Sequence, residues 1–542
     1  MTRLQRLLSL TAALLLAVPV AAQGVDTTPP TFLTQPIVSL NTNPAAPLTG
    51  RVQITSNEPV IVEIGVREAT RGFRFLATRT YSTTQDLPLV GFRPDRPHRI
   101  TVSIRDAAGN RTVWPFGFVL TTPALPSNFP PLNVTTSSPG LMEFGVTLTA
   151  MRWQSPTIPG VGTYCVFLDA SGQVVWLYET AIGLRDALRL RNGNLLIHAN
   201  NRLAQEVDLF GNIVNQWWAA RLGLTGAPAG AIPVDCDSFH HEMQELSVAE
   251  NENFLVLSTE MRIYPNYPTS ETDPTQTAPF GNVIGDVIVE FQKDGTLVRE
   301  FKVLDVLDPY RLCYGSLAGI YNPLYGGIVT LDWSHGNAAF LDDNDSSWVM
   351  SLRHQDAVVK VRRSDQSIAW IHGPHERWVA PWTQHLLTPV GFPFEWNFHQ
   401  HSPELDAAGN LTMFDNGNYR AIPPTPAAPA DQWYSRAVGY QVDPVAMTTT
   451  QIWDWREATP FFSGQFGDVD PLPVTGNYLV TDGAKPVTGL NKTYSRIVEV
   501  RAASPGQQVV YEVIINDPTG PAPSPYNWSL YRAERYSSIY PH

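Results

Sequence analysis

The chain has 542 residues, 43% hydrophobic and 16% charged, with a formal net charge of −13. That acidity excludes nucleic-acid partners, whose phosphates it would repel, and means that an anionic ligand needs a locally basic pocket. The 46 Pro, 38 Gly and 11% aromatic residues indicate an all-β, loop-rich protein long enough for two or more domains.

In chain order, Arg3 and Arg6 precede an apolar run from Leu7 to Val20, followed by the small residues Ala21 and Ala22. Residues 1–22 are therefore expected to be an export signal, and the mature chain to be periplasmic or secreted. No later stretch is long and apolar enough to span a membrane. Residues 28–122 carry short alternating stretches, such as Val60-Ile61-Val62-Glu63-Ile64 and Ile100-Thr101-Val102-Ser103-Ile104, between turn signals. They are expected to form a small immunoglobulin-like β-sandwich. The Pro-rich segment from Thr122 to Pro131 reads as a linker.

From residue 130 to 542 a four-strand unit repeats. The clearest copy begins at Leu190-Arg191-Asn192-Gly193-Asn194-Leu195 and ends at Trp217-Trp218. Four more copies start near His240, His335, His399 and Gly467. The two chain ends supply a sixth, with Val166–Trp176 as outer strands and Tyr531–Tyr536 as a closing strand. The expectation is a six-bladed β-propeller with little helix. Irregular spacing leaves five or seven blades open. Cys165, Cys236 and Cys313 permit one disulfide, best placed as Cys236–Cys313, or three buried small hydrophobes.

Seven of the twelve histidines lie between His335 and His401, and His240-His241 form a further pair. Several occupy the start of the first strand of their unit, which in a propeller lines the central channel. Such positions converge on one axis although far apart in sequence. Three segments stand out: Phe239-His240-His241-Glu242; Asp332-Trp333-Ser334-His335-Gly336-Asn337 with Ser351-Leu352-Arg353; and Trp396-Asn397-Phe398-His399-Gln400-His401 with Phe414-Asp415-Asn416-Gly417. Strand parity places His241 rather than His240 toward the channel and turns Glu242 away. His354, His372, His375 and His385 read as loop or surface residues.

These segments resemble those of the PAPS-independent aryl-sulfate sulfotransferases, a family of exported six-bladed propellers. His335-x-Asn337 followed eighteen residues after the His by Arg353, and Gln400-His401 upstream of Phe414-Asp415-Asn416-Gly417, match the family's spacing. The close cysteine pair that enteric members carry before the nucleophile has no counterpart here. The resemblance implies ping-pong transfer of a sulfuryl group from an aryl sulfate to a phenol through a histidine, without cofactor or metal. It implies His401 as nucleophile, with His335, Arg353, His241 and Asn337 as catalytic partners. His240, His399 and Gln400 are expected to contact substrate. A homodimer is compatible with the resemblance. The chemistry is consistent: neutral imidazole is a nucleophile at neutral pH, and planar guanidinium binds sulfuryl oxygens. A protonated His241 or His335 would assist the leaving phenolate. Alternatives are a metal-dependent hydrolase using His399, His401 and His241 or His335, and a non-catalytic glycan- or protein-binding propeller. The Cys-x-Pro-x-Arg motif of formylglycine sulfatases is missing.

Overall fold

The computed structural model describes residues 26–542 except 70, 155–162, 181, 184, 488–491, 502–506, 521–526 and 541–542. The expected export signal lies outside the described residues. Among the described residues the structure is β-strand with a few short 3₁₀ turns. No helix there is long and apolar enough to cross a membrane.

Six sheets of four or five strands form a propeller. Their innermost strands are Asn527–Tyr536, Asp186–Arg189, His240–Glu245, Gly336–Asp342, His401–Leu405 and Asp468–Pro471, in blades one to six. Each touches the next in that order, and the sixth touches the first, so the ring is closed. The middle strands are almost continuously apolar and buried, as in Leu195–Asn200 and Ser347–Leu352. Their faces fill the spaces between blades, where most apolar burial occurs. The C-terminal strand Asn527–Tyr536 pairs with Val146–Gln154 and supplies the innermost strand of blade one. A second closure was not anticipated: Leu132–Ser137, directly after the expected linker, adds a fifth strand to the outer edge of blade six.

The N-terminal strands, from Ile37 to Thr121, form an all-β unit in which the long strand Gly50–Glu68 serves two sets of partners. Its first half pairs with Ile37–Leu40 and Ser82–Leu89, its second with Arg71–Leu76 and Pro97–Arg105. The unit docks on blades one and two. Arg93 binds Asp169 at 2.8 Å, and Phe75 stacks on Tyr540 with centroids 4.1 Å apart. The three cysteines are free and buried. The Cys236–Cys313 pairing is thus corrected: Cys236 packs between blades two and three, where a small apolar side chain fits.

Period-two parity fails at the axis because the inner strands are bulged. Pairing slips between His240 and Met243, between Gly336 and Ala338, and between His401 and Glu404. An extra residue in a strand re-aims the side chains around it.

Candidate active site

The bulges coincide with unusual backbone. His241, His335, His399 and Ser402 have φ of 53°, 46°, 54° and 45°. Left-handed conformations at non-glycine residues are costly and cluster at functional sites. Here they turn imidazoles from three blades toward one point. His241 and His335 have ring centroids 5.0 Å apart, and His335 stacks on His354 at 4.6 Å. Tyr531, from the closing strand, lies 5.8 Å from the His241 ring and 6.3 Å from the His401 ring. Its hydroxyl donates to the Asn337 carbonyl oxygen at 2.5 Å. The structure thus brings His241, His335, Asn337, Arg353 and His401 to one place.

His401 is held from behind. Its Nδ1 lies 2.7 Å from Asn416 Oδ1. The Asn416 amide nitrogen donates to the carbonyl oxygens of Ser463 (2.7 Å) and Phe466 (2.8 Å). That orientation makes Oδ1 the acceptor, so His401 carries its proton on Nδ1 and leaves a lone pair on Nε2. The rest of the Phe-Asp-Asn-Gly motif braces the same segment. Phe414 is the sheet partner of His401. The Asp415 carboxylate accepts the Phe398 N–H at 2.9 Å and pairs with the buried Arg436 at 2.8 Å. Gly417, at φ 73°, donates its N–H to the Phe398 carbonyl, and a Cβ there would collide with the Tyr434 carbonyl oxygen.

His335 presents its Nδ1 to the Asp332 carboxylate at 2.5 Å. Burial pushes Asp332 up to about 6. Arg353 has its guanidinium on His354 Nε2 at 2.9 Å and on the Gly464 carbonyl oxygen at 3.0 Å. Burial lowers its pKa to about 10, and it pairs with no carboxylate. Every Asp and Glu of the chain is among the described residues. Two further cations share this state. Arg152 and Arg185 line a small cavity with His241, Phe466, Ser529 and Tyr531, and neither forms an ion pair. Burial lowers Arg152 to about 10, and the Arg185 charge adds to that.

Burial drives the pKa of His241, His335, His354, His399 and His401 well below the ordinary histidine value, with neighbouring cations reinforcing it. Burial thus favours the neutral form of each of these imidazoles. A protonated His241 or His335 beside a leaving phenolate works against that burial, and at His335 the Asp332 carboxylate, 2.5 Å from Nδ1, is the group placed to offset it.

Other expectations also shift. Gln400 does not reach the cavity. Its amide donates to Ser351 Oγ (3.0 Å) and the Ala357 carbonyl (3.1 Å) and accepts from Asn397 (2.7 Å). Asn337 donates to the Gln400 carbonyl oxygen at 2.7 Å. His240 is buried behind His241, with their Nδ1 atoms 3.0 Å apart, and His399 is fastened to Asp356 at 2.9 Å. All three are thus held by protein partners. Glu242 does not turn away; the bulge sends it into the channel, where it meets Arg532 at 2.9 Å. His354 and His372 are buried, not on the surface. His354 directly follows Arg353, and its adjacency was the available signal. Arg152, Arg185, Tyr531 and Asp332 were also missed. Beside Arg353 and His399 stands a half-buried aromatic wall. Tyr419 lies 5.1 Å from His399, 4.8 Å from Tyr314 and 4.9 Å from Trp433.

A family model described as arylsulfotransferase (ASST) matches residues 145–521. The arylsulfate sulfotransferase AssT of Escherichia coli O6:H1 is 31% identical over 211 residues, which cover 32% of this chain and 35% of that protein. The arylsulfate sulfotransferase AssT of Lelliottia amnigena is 28% identical over 213 residues, again 32% and 35%. The aligned stretch spans about a third of the length of these relatives. Among solved structures, the periplasmic gluconolactonase of Pseudomonas aeruginosa is similar at 11% identity, over 71% of this chain and 100% of that one. Its TM-score is 0.32, too low to carry an argument.

Proposed function

The chain belongs to the arylsulfotransferase family, and on that premise we propose that it moves a sulfuryl group from an aryl sulfate to a phenol in two half-reactions, through a sulfohistidine at His401. The observation that carries this reading is the contact of His401 Nδ1 with Asn416 Oδ1 at 2.7 Å, which leaves Nε2 unprotonated and near enough to the unpaired Arg353 to feel its charge.

In the first half-reaction Nε2 attacks sulfur. The N–S bond forms as the S–O bond to the aryl group breaks, and the phenol leaves. Arg353 has N–H groups left over for the sulfuryl oxygens, where charge builds in the transition state. Arg152 and Arg185, beside His241 and Tyr531, add positive potential. The aryl ring has the wall of Tyr314, Tyr419 and Trp433 to lie against. In the second half-reaction the acceptor phenol gives its proton to His335 Nε2 and attacks the sulfohistidine. Asp332 holds the imidazolium so formed. That proton is the one the next leaving phenolate takes up, so the cycle closes.

A metal hydrolase has weaker support. Asp332, His335 and His354 offer ligand atoms within 4.8 Å of one another. Both nitrogens of His354 are already in hydrogen bonds, to the Asp332 carbonyl and to Arg353. In this reading the protein is exported, with an immunoglobulin-like module at 28–122 and a catalytic propeller at 130–542.

The test is a chromogenic aryl sulfate with and without phenol. Phenol-dependent turnover is expected, with a single burst of phenolate and a sulfuryl-sized mass gain when acceptor is left out. Equal turnover without phenol would mean hydrolysis. His401→Ala should stay folded and lose both burst and adduct.

A further inference from the structure

The strands that carry the histidines also line the other end of the axial channel, and there the chemistry is reversed. Past His241 comes Glu242, past His401 comes Glu404, and past Tyr531 come Arg532 and Glu534. Blade six contributes Asp468 and Asp470. Glu242, Glu404, Arg532 and Glu534 border a cavity that opens to solvent. Arg532 is already engaged, with Glu242 at 2.9 Å and Asp186 at 3.3 Å. Among the described residues no Lys or Arg pairs with Glu404, Asp468, Asp470 or Glu534.

The oxygens of Glu404, Asp468 and Asp470 lie within 4.8 Å of one another. Asp468 is fully buried (0% exposed), and no side-chain N–H or cation reaches either of its carboxylate oxygens. Asp470 is 6% exposed, and its carboxyl meets that of Asp468, the two like groups facing each other with no cation against either. Buried carboxylates without a donor or counter-ion are strongly unfavourable, so groups placed this way point to a missing positive partner. The set is purely oxygen, which suits a hard cation rather than zinc or copper. Several protein carboxylates converging on one point suit Ca²⁺, which takes most of its ligands from the protein, better than Mg²⁺, which keeps most of its waters.

We propose that Glu404, Asp468 and Asp470, with Glu534 beside them, bind one Ca²⁺ in the channel. The ion ties blade five, blade six and the C-terminal closing strand together at the seam where the ring is shut. It is separate from the histidine site and takes no part in sulfuryl transfer.

The test uses the purified full-length protein. Elemental analysis should find about one Ca²⁺ per chain. Removal by EGTA should lower the melting temperature by about 3–5 °C, and CaCl₂ but not equimolar MgCl₂ should restore it. Asp468→Asn/Asp470→Asn should melt identically with and without CaCl₂. If that variant fails to fold, Glu534→Gln, altered on a different strand, should bind Ca²⁺ about tenfold more weakly. A wild-type protein free of metal whose melting ignores both EGTA and CaCl₂ overturns the site. So does undiminished Ca²⁺ binding by the variants.

Discussion

His354 Nε2 accepts a hydrogen bond from Arg353 at 2.9 Å, while His354 Nδ1 donates to the Asp332 carbonyl oxygen at 2.7 Å. A carbonyl only accepts, so the proton of His354 is on Nδ1 and its Nε2 lone pair aims the guanidinium. His354 is therefore a positioning residue for Arg353, and its stacking on His335 couples the two halves of the site.

His354→Phe keeps the ring but removes the acceptor. kcat/KM for an aryl sulfate should fall about 10–100-fold, mostly in kcat, because a mis-aimed group loses transition-state contacts first. His354→Gln, whose amide oxygen can accept the same N–H, should recover part of the loss. A variant with normal kcat would show that Arg353 needs no such support.

Arg353→Gln should cost about 10²–10³ in kcat, the usual loss for one charged donor to a developing oxyanion. Arg353→Lys should not restore it. A lysine cannot satisfy His354, Gly464 and two sulfuryl oxygens from a single ammonium. Steady-state kinetics of both variants decide this.

The pH profile follows from the direction of the His401 shift. Protonation of Nε2 removes the nucleophile, so the rate falls as pH drops through the His401 pKa. Burial, with the Arg353 charge behind it, holds that pKa below the ordinary histidine value. The acid limb of the donor half-reaction should therefore lie below about 6.5. Asn416→Asp puts a carboxylate against Nδ1, raises the His401 pKa and should move the limb upward. An unmoved limb would argue against His401 as the titrating group.

Arg152→Gln and Arg185→Gln each remove a cation that no carboxylate balances. KM for an anionic donor should rise about 5–10-fold, and its dependence on ionic strength should flatten, since part of the attraction is Coulombic. Release of a neutral phenol should be unaffected.

Tyr419→Ala opens the aromatic wall. Aryl stacking is worth about 0.5–1.5 kcal/mol, so KM for aryl donors should rise roughly 2–10-fold with little change in kcat. A kcat effect larger than the KM effect would place Tyr419 in the chemistry instead.

Much of the architecture was legible from the chain alone. Turn-punctuated apolar strands recur in a fixed order because each blade must bury both faces against its neighbours, and that recurrence carried the six-blade count and the closing strand at Tyr531–Tyr536. Spacing within one blade also carried over: Arg353 follows His335 across a single hairpin, so local pairing alone puts them side by side. What lay beyond reach were the facts made by bulges and by contacts between distant blades. Parity assigned Glu242 to the wrong side because it assumes a regular pleat, and the inner strand is not regular at His241. The tautomer of His401 depends on the Ser463 and Phe466 carbonyls that orient Asn416, some fifty residues away in the chain. The unpaired state of Arg152, Arg185 and Arg353, and of Asp468 and Asp470, is likewise a property of what surrounds them. Residue order determines which groups a strand can offer; only the closed ring decides which of them face each other without a partner.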